Sequence, residues 1–217
     1  MGAYAGIVNL VGDACGFAKA MGYPESSICV LEGNEEKIKE MFPETYSNLV
    51  SCRHNRDKRS VSEYGMDLVA SWLFEDFIMK NLTDNGLDVR KNGTDRDREI
   101  LPSEGVSPAS DCTVVVDGKE RCMEIICDYS GWWRNTGRVD LRDRKYESLS
   151  RENSMLLGIS FKDDTYFLIG DMGSVDALYI PQHKPYGNKP AYKVTVNDSD
   201  FKDIDFVEMA KDIKGSM

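Results

Sequence analysis

At 217 residues, 41% hydrophobic and 29% charged, the chain has the size and composition of one soluble globular domain, long enough to bury a core. It contains no run of about 18 apolar residues, which argues against a membrane span. A net charge of −10 speaks against a generic nucleic-acid coat. It leaves room for a local basic cleft, because attraction to phosphate acts over about a Debye length, roughly 10 Å.

Residues 1–48 read as helical, with one segment near 4–20 and a second at Glu35–Met41, ended by Phe42-Pro43. We expect residues 1–50 to be an N-terminal helical extension and residues 51–217 to form one compact unit. Residues 60–82 are the clearest helix. Ser60 and Glu63 match a capping box, and Leu68, Val69, Trp72 and Leu73 give a one-sided apolar stripe. Asn85-Gly86 supplies the stop. Leu87-Asp88-Val89 starts a strand, and residues 90–107 are polar and turn-rich, hence a loop.

Residues 110–128, SDCTVVVDGKERCMEIICD, read as a hairpin with Asp117-Gly118 at its turn. A loop at 131–137 follows, then a helix over 139–151. Strands are expected at 155–161 and 165–169, then at 177–180 and 191–196, and a terminal helix near 206–213. The order predicts an α/β (α+β) fold, a mixed central sheet flanked by helices. Six cysteines form no C-x-x-C pair and only two histidines are present, so a zinc site is not expected. The thiols read as small core residues of a cytoplasmic protein.

The hairpin carries the chemistry. Side chains of equal parity share a strand face, so Asp111 aligns with Thr113 and Val115, and Glu124 with Ile126 and Asp128. Pairing across Asp117-Gly118 brings Asp111 and Glu124 to one face at the open end. Two neighbouring carboxylates repel unless a proton or cation lies between them. Mg²⁺ takes one or two carboxylates and keeps several waters, an arrangement suited to holding a phosphate and activating a water.

With Asp111 on one strand and Glu124 on the next, residues 60–170 resemble the PD-(D/E)xK, or restriction-endonuclease-like, nuclease superfamily, and most of all a type II restriction endonuclease. That pattern ends in acid-x-lysine, and the position of the lysine is held here by Ile126. Pro108 also stands three residues before the first acid rather than next to it. Lys145, on the expected helix and one stripe with Leu141 and Leu149, is the candidate replacement. A lysine on this following helix also resembles the cap-snatching endonucleases of segmented negative-strand RNA viruses, which often add an upstream histidine, here His54.

The resemblance implies a Mg²⁺-dependent endonuclease (Mn²⁺ as alternative) acting on double-stranded DNA as a homodimer. Asp111 and Glu124 would hold metal, with Lys145 and the accessory acid Glu75 completing the catalytic set. Two windows of net +3, residues 53–59 and 134–145, supply candidate nucleic-acid contacts at Arg53, Arg56, Arg134 and Arg138, with Trp132 beside them. The alternatives are an RNA-cutting enzyme of cap-snatching type and a nuclease-like fold that binds without cutting. His183 reads as polar loop surface.

Overall fold

The computed structural model describes residues 13–52, 59–93, 96–102 and 108–217. The fold is mixed α/β, of the α+β kind, with one six-stranded and one three-stranded sheet. The chain separates into two compact units, residues 3–78 with 94–107, and residues 79–93 with 108–217.

The first unit is helical. It contains α1 (Ala14–Ala20), α2 (Glu25–Leu31), α3 (Glu35–Met41), α4 (Pro43–Ser51) and most of α5 (Val61–Asp84). Asp13 and Asn34 cap α1 and α3 by accepting the amides of Gly16 and Lys37. Phe42-Pro43 ends α3 as expected, but it also begins α4, because proline fits the first helical position, where no N–H is needed. The Ser60–Glu63 capping box forms in both directions: Ser60 Oγ accepts the Glu63 amide at 3.1 Å, and Glu63 accepts the Ser60 amide at 2.7 Å. Ile28, Val30, Ile38, Leu49, Val69 and Trp72 form the core of this unit. Gly65 lets α5 approach closely, since a Cβ there would lie 2.7 Å from Val30 Cγ1.

The second unit is built on a sheet in the order β1-β2-β3-β5-β6-β9. Its strands are β1 (Asp88–Lys91), β2 (Cys112–Val116), β3 (Lys119–Asp128), β5 (Met155–Ser160), β6 (Thr165–Ile169) and β9 (Lys202–Asp203). All neighbours are antiparallel except β3 and β5, which run parallel. The β2–β3 turn has Asp117 at φ 50° and Gly118 at φ 79°, the left-handed pair that matches strand twist in a two-residue hairpin. Central β5, Met-Leu-Leu-Gly-Ile-Ser, is buried throughout.

A second sheet, ordered β4-β8-β7, comprises β4 (Arg138–Arg142), β7 (Ala177–His183) and β8 (Lys189–Thr195). Its inner residues Val139, Leu141 and Val194 share one core with Leu149, Leu156 and Phe167. The short helix α6 (Trp132–Thr136), the helix α7 (Asp143–Arg151) and the C-terminal α8 (Phe206–Gly215) complete the unit.

Two local expectations change. The helix expected over 139–151 is strand β4 followed by α7. Residues 138–142 alternate charged and apolar, a period of two, and Arg142 is extended at φ −60°, ψ 145°. Leu141 therefore belongs to the strand, and Lys145 shares its helical stripe with Leu149 alone. The loop expected at 131–137 holds α6, bounded by Gly131 and Gly137, both left-handed. No described helix is long and apolar enough to cross a membrane.

Candidate active site

The β2–β3 register pairs Cys112 with Met123 and Thr113 with Cys122. Carried one step further, it sets Asp111, the residue before β2, opposite Glu124. Directly opposed residues of an antiparallel pair lie on one face. Asp111 Oδ2 accepts the Ile125 amide at 2.8 Å, which ties the carboxylate to the neighbouring strand. Glu124 is only 6% exposed.

Lys145 comes to this edge from the first turn of α7. Its Nζ lies 2.8 Å from Glu124 Oε1 and 2.9 Å from Oε2, and it donates to the Ala109 carbonyl at 3.0 Å. The geometry follows from the connection: β3 leads through α6, β4 and α7 into the parallel neighbour β5. Leu149, one helical turn beyond Lys145, is fully buried and anchors that face of α7. Ile126 is partly buried against the core that contains Trp133 and Val139. Ile126 is thus used for packing, and an ammonium reaches Glu124 from another element.

Chemically, the edge offers two carboxylates and one ammonium. Asp111 and Glu124 meet the donor requirement of Mg²⁺, which accepts one or two protein carboxylates and completes its shell with water. Among the described residues, no cluster of three or more histidine, cysteine or acidic side chains has metal-holding geometry. By its chemistry, a pair of carboxylates would suit a hard, mostly hydrated cation.

Glu75 lies in the helical unit. It is an ion-pair partner of Arg98, with Oε2 2.7 Å from Nη1. Arg98 also meets Asp76 Oδ1 at 2.6 and 3.1 Å, and Tyr23 donates to Asp76 Oδ2 at 2.7 Å. Burial opposes the Arg98 charge, but the hydrogen bond to Asp76 and the field of Glu75 outweigh it and hold the guanidinium firmly protonated. Burial, then Asp76, pushes the Tyr23 phenol up. This network gives Glu75 a structural task that its sequence position did not reveal.

Arg53, His54 and Arg56 lie outside the described residues. Arg134 is paired with Asp198 at 2.6 Å. Trp132 is 46% exposed, and the Arg138 guanidinium sits over its ring at 5.5 Å. Asp128, on the same strand face as Glu124, accepts the Ser130 and Trp133 amides and so fixes the start of α6. His183 departs from expectation: it ends β7, is 4% exposed, and its Nε2 lies 2.9 Å from Asp140 Oδ2. The signal available in the sequence was Asp140 inside an alternating run, which is legible only once that run is read as a strand.

No protein-family model matches the chain, and no curated protein sequence matches it.

Proposed function

We propose that the chain is a metal-dependent endonuclease of the restriction-endonuclease-like class, hydrolysing phosphodiester bonds in double-stranded DNA. The observation that carries this reading is the contact of Lys145 with both oxygens of Glu124, beside Asp111. It supplies, from α7, the charge that the acid-x-lysine pattern lacks at Ile126. The hairpin is followed by helix α7 and strand β5, as the resemblance implies, with α6 and β4 standing between β3 and α7.

In this reading Asp111 and Glu124 hold Mg²⁺, with Mn²⁺ as a substitute. The ion would contribute charge neutralisation at the phosphate and a more acidic water. Lys145 contributes a proton donor and a positive charge at the same edge, strengthened by its partly buried setting. The Ala109 carbonyl keeps the ammonium oriented. Trp132 and Arg138 provide contacts to nucleic acid on the protein surface, and two copies cut the two strands, in a cytoplasmic setting.

A second reading, an RNA-cutting enzyme of cap-snatching type, draws on the position of Lys145 on the helix after the second acid. One experiment separates the two. Purified protein is incubated with supercoiled plasmid and with single-stranded RNA, each with Mg²⁺, Mn²⁺ or EDTA. Metal-dependent plasmid cleavage supports the first reading and RNA cleavage the second. Cleavage of neither removes both and leaves a fold that binds without cutting.

A further inference from the structure

The three-stranded sheet has an inner face packed on the core and an outer face of different character. Register across β4, β8 and β7 aligns Arg138 with Thr195, Asp140 with Lys193 and Leu178, and Arg142 with Ala191 and Ile180. Lys189, two residues before Ala191, has the parity of Lys193 and joins the same face. Four cations thus gather on one face of a protein whose net charge is −10.

Arg142, Lys189 and Lys193 form no ion pair among the described residues. The acid at the centre, Asp140, is instead held by His183 at 2.9 Å, and Arg138 Nε stands 3.6 Å from its other oxygen. Arg138 lies over the exposed Trp132 ring and Arg142 over the Tyr186 ring, both at 5.5 Å. A shallow groove beside them is lined by Gly137, Arg138, Asp176, Leu178, Lys193 and Thr195, so one carboxylate stands among its cations.

Spacing and chemistry identify the occupant. Arg138 and Arg142 on β4, and Lys189 and Lys193 on β8, are each four residues apart and so about 13 Å apart, and the two neighbouring strands lie about 5 Å from each other. Cations on this lattice fit the repeated phosphates of one extended strand. An exposed indole beside arginine is a stacking platform, and stacking requires a base freed from its pair. We propose that the outer face of the β4-β8-β7 sheet binds single-stranded nucleic acid, with phosphates on Arg138, Arg142, Lys189 and Lys193 and an unpaired base on Trp132. This surface shares Trp132 and Arg138 with the contacts of the nuclease reading, adds Arg142, Lys189 and Lys193 to them, and does not depend on cleavage.

The test is fluorescence anisotropy with a labelled 20-nucleotide oligothymidine and, separately, a 20-base-pair duplex, all in EDTA so that cleavage plays no part. Wild type binds the single strand more tightly than the duplex. The pair Lys189→Glu with Lys193→Glu, both at solvent-accessible positions, weakens single-strand binding at least about 10-fold. It also lowers the slope of log affinity against log salt by about 1.4, two contacts at about 0.7 each. The same charge change at Lys80→Glu with Lys119→Glu leaves both quantities within about twofold of wild type. Oligothymidine quenches tryptophan emission in wild type and less in Trp132→Phe. Absence of single-strand binding, preference for the duplex, or equal loss in the two charge-reversed pairs overturns the proposal. Plasmid cleavage is scored separately, so either inference can fail alone.

Discussion

Lys145 and Glu124 meet at 2.8 and 2.9 Å, one ammonium against both carboxylate oxygens, although they stand on different elements of the chain. Glu124 is 8% and Lys145 26% exposed at the side chain, so water screens this pair only in part. Removing one partner leaves the other charge poorly solvated, whereas removing both does not. Lys145→Met alone is therefore expected to lower stability by about 2–4 kcal/mol, and Lys145→Met with Glu124→Gln by less than the single change. Chemical denaturation of Lys145→Met, Glu124→Gln and the double variant measures the coupling. Equal or additive losses would mean that the contact contributes little.

The same lysine pairs with a carboxylate proposed to hold the cation, so its removal is expected to have opposite effects on binding and on cutting. Lys145→Ala raises the affinity for Mg²⁺, read by isothermal calorimetry, because a like charge has gone. Cleavage by the same variant falls at least about 100-fold. Unchanged metal affinity together with unchanged cleavage would place Lys145 outside the site.

In the helical unit, Arg98 is 6% exposed and bound to two carboxylates, so it is the point on which the buried charge there depends. Arg98→Met leaves Glu75 and Asp76 without their guanidinium and is expected to cost about 3–5 kcal/mol. A thermal melt that moves by less than about 2 °C would contradict this.

The C-terminal helix gives a pH signature. Asp212 accepts hydrogen bonds from Lys202 and Tyr166. Burial opposes its charge, but these two donors prevail and hold its carboxyl below the ordinary range. Its contribution is present above the unfolded value of about 3.9 and is lost as pH falls below that. Burial, then Asp212, raises the Tyr166 phenol, so its contribution is present below about pH 10 and is lost as pH rises beyond it. Asp212→Asn should flatten both limbs of a plot of melting temperature against pH. Limbs as steep as in wild type would assign the dependence elsewhere.

Gly158 pairs with Phe167 across β5 and β6, and a Cβ at Gly158 would overlap the Phe167 ring. Gly158→Ala is expected to cost about 1–3 kcal/mol through displacement of that buried ring. Denaturant midpoints within error of wild type would show that the ring moves freely.

Local signals were the most legible. The capping box at Ser60, the Asp-Gly turn and the alternation in the hairpin each depend on neighbours a few residues away, and each formed. The opposition of Asp111 and Glu124 followed from parity and turn length together. Strand β4 was missed because Leu141, Lys145 and Leu149 also fit a helical stripe, and only pairing with β8 selects the two-residue period. Its loss hid the three-stranded sheet and with it the Asp140–His183 contact. The role of Glu75 was equally hidden, because Arg98 is 23 residues further along the chain and reaches it only through tertiary structure.

The most direct measurement of the central claim is cleavage of supercoiled plasmid by wild type, Lys145→Ala and Glu124→Gln, with Mg²⁺ and with EDTA. Nicked or linear product from wild type with Mg²⁺, none with EDTA, and near-complete loss in both variants is the predicted result. Wild type that leaves the plasmid intact with either Mg²⁺ or Mn²⁺, or cleavage that persists undiminished in Lys145→Ala, would contradict it.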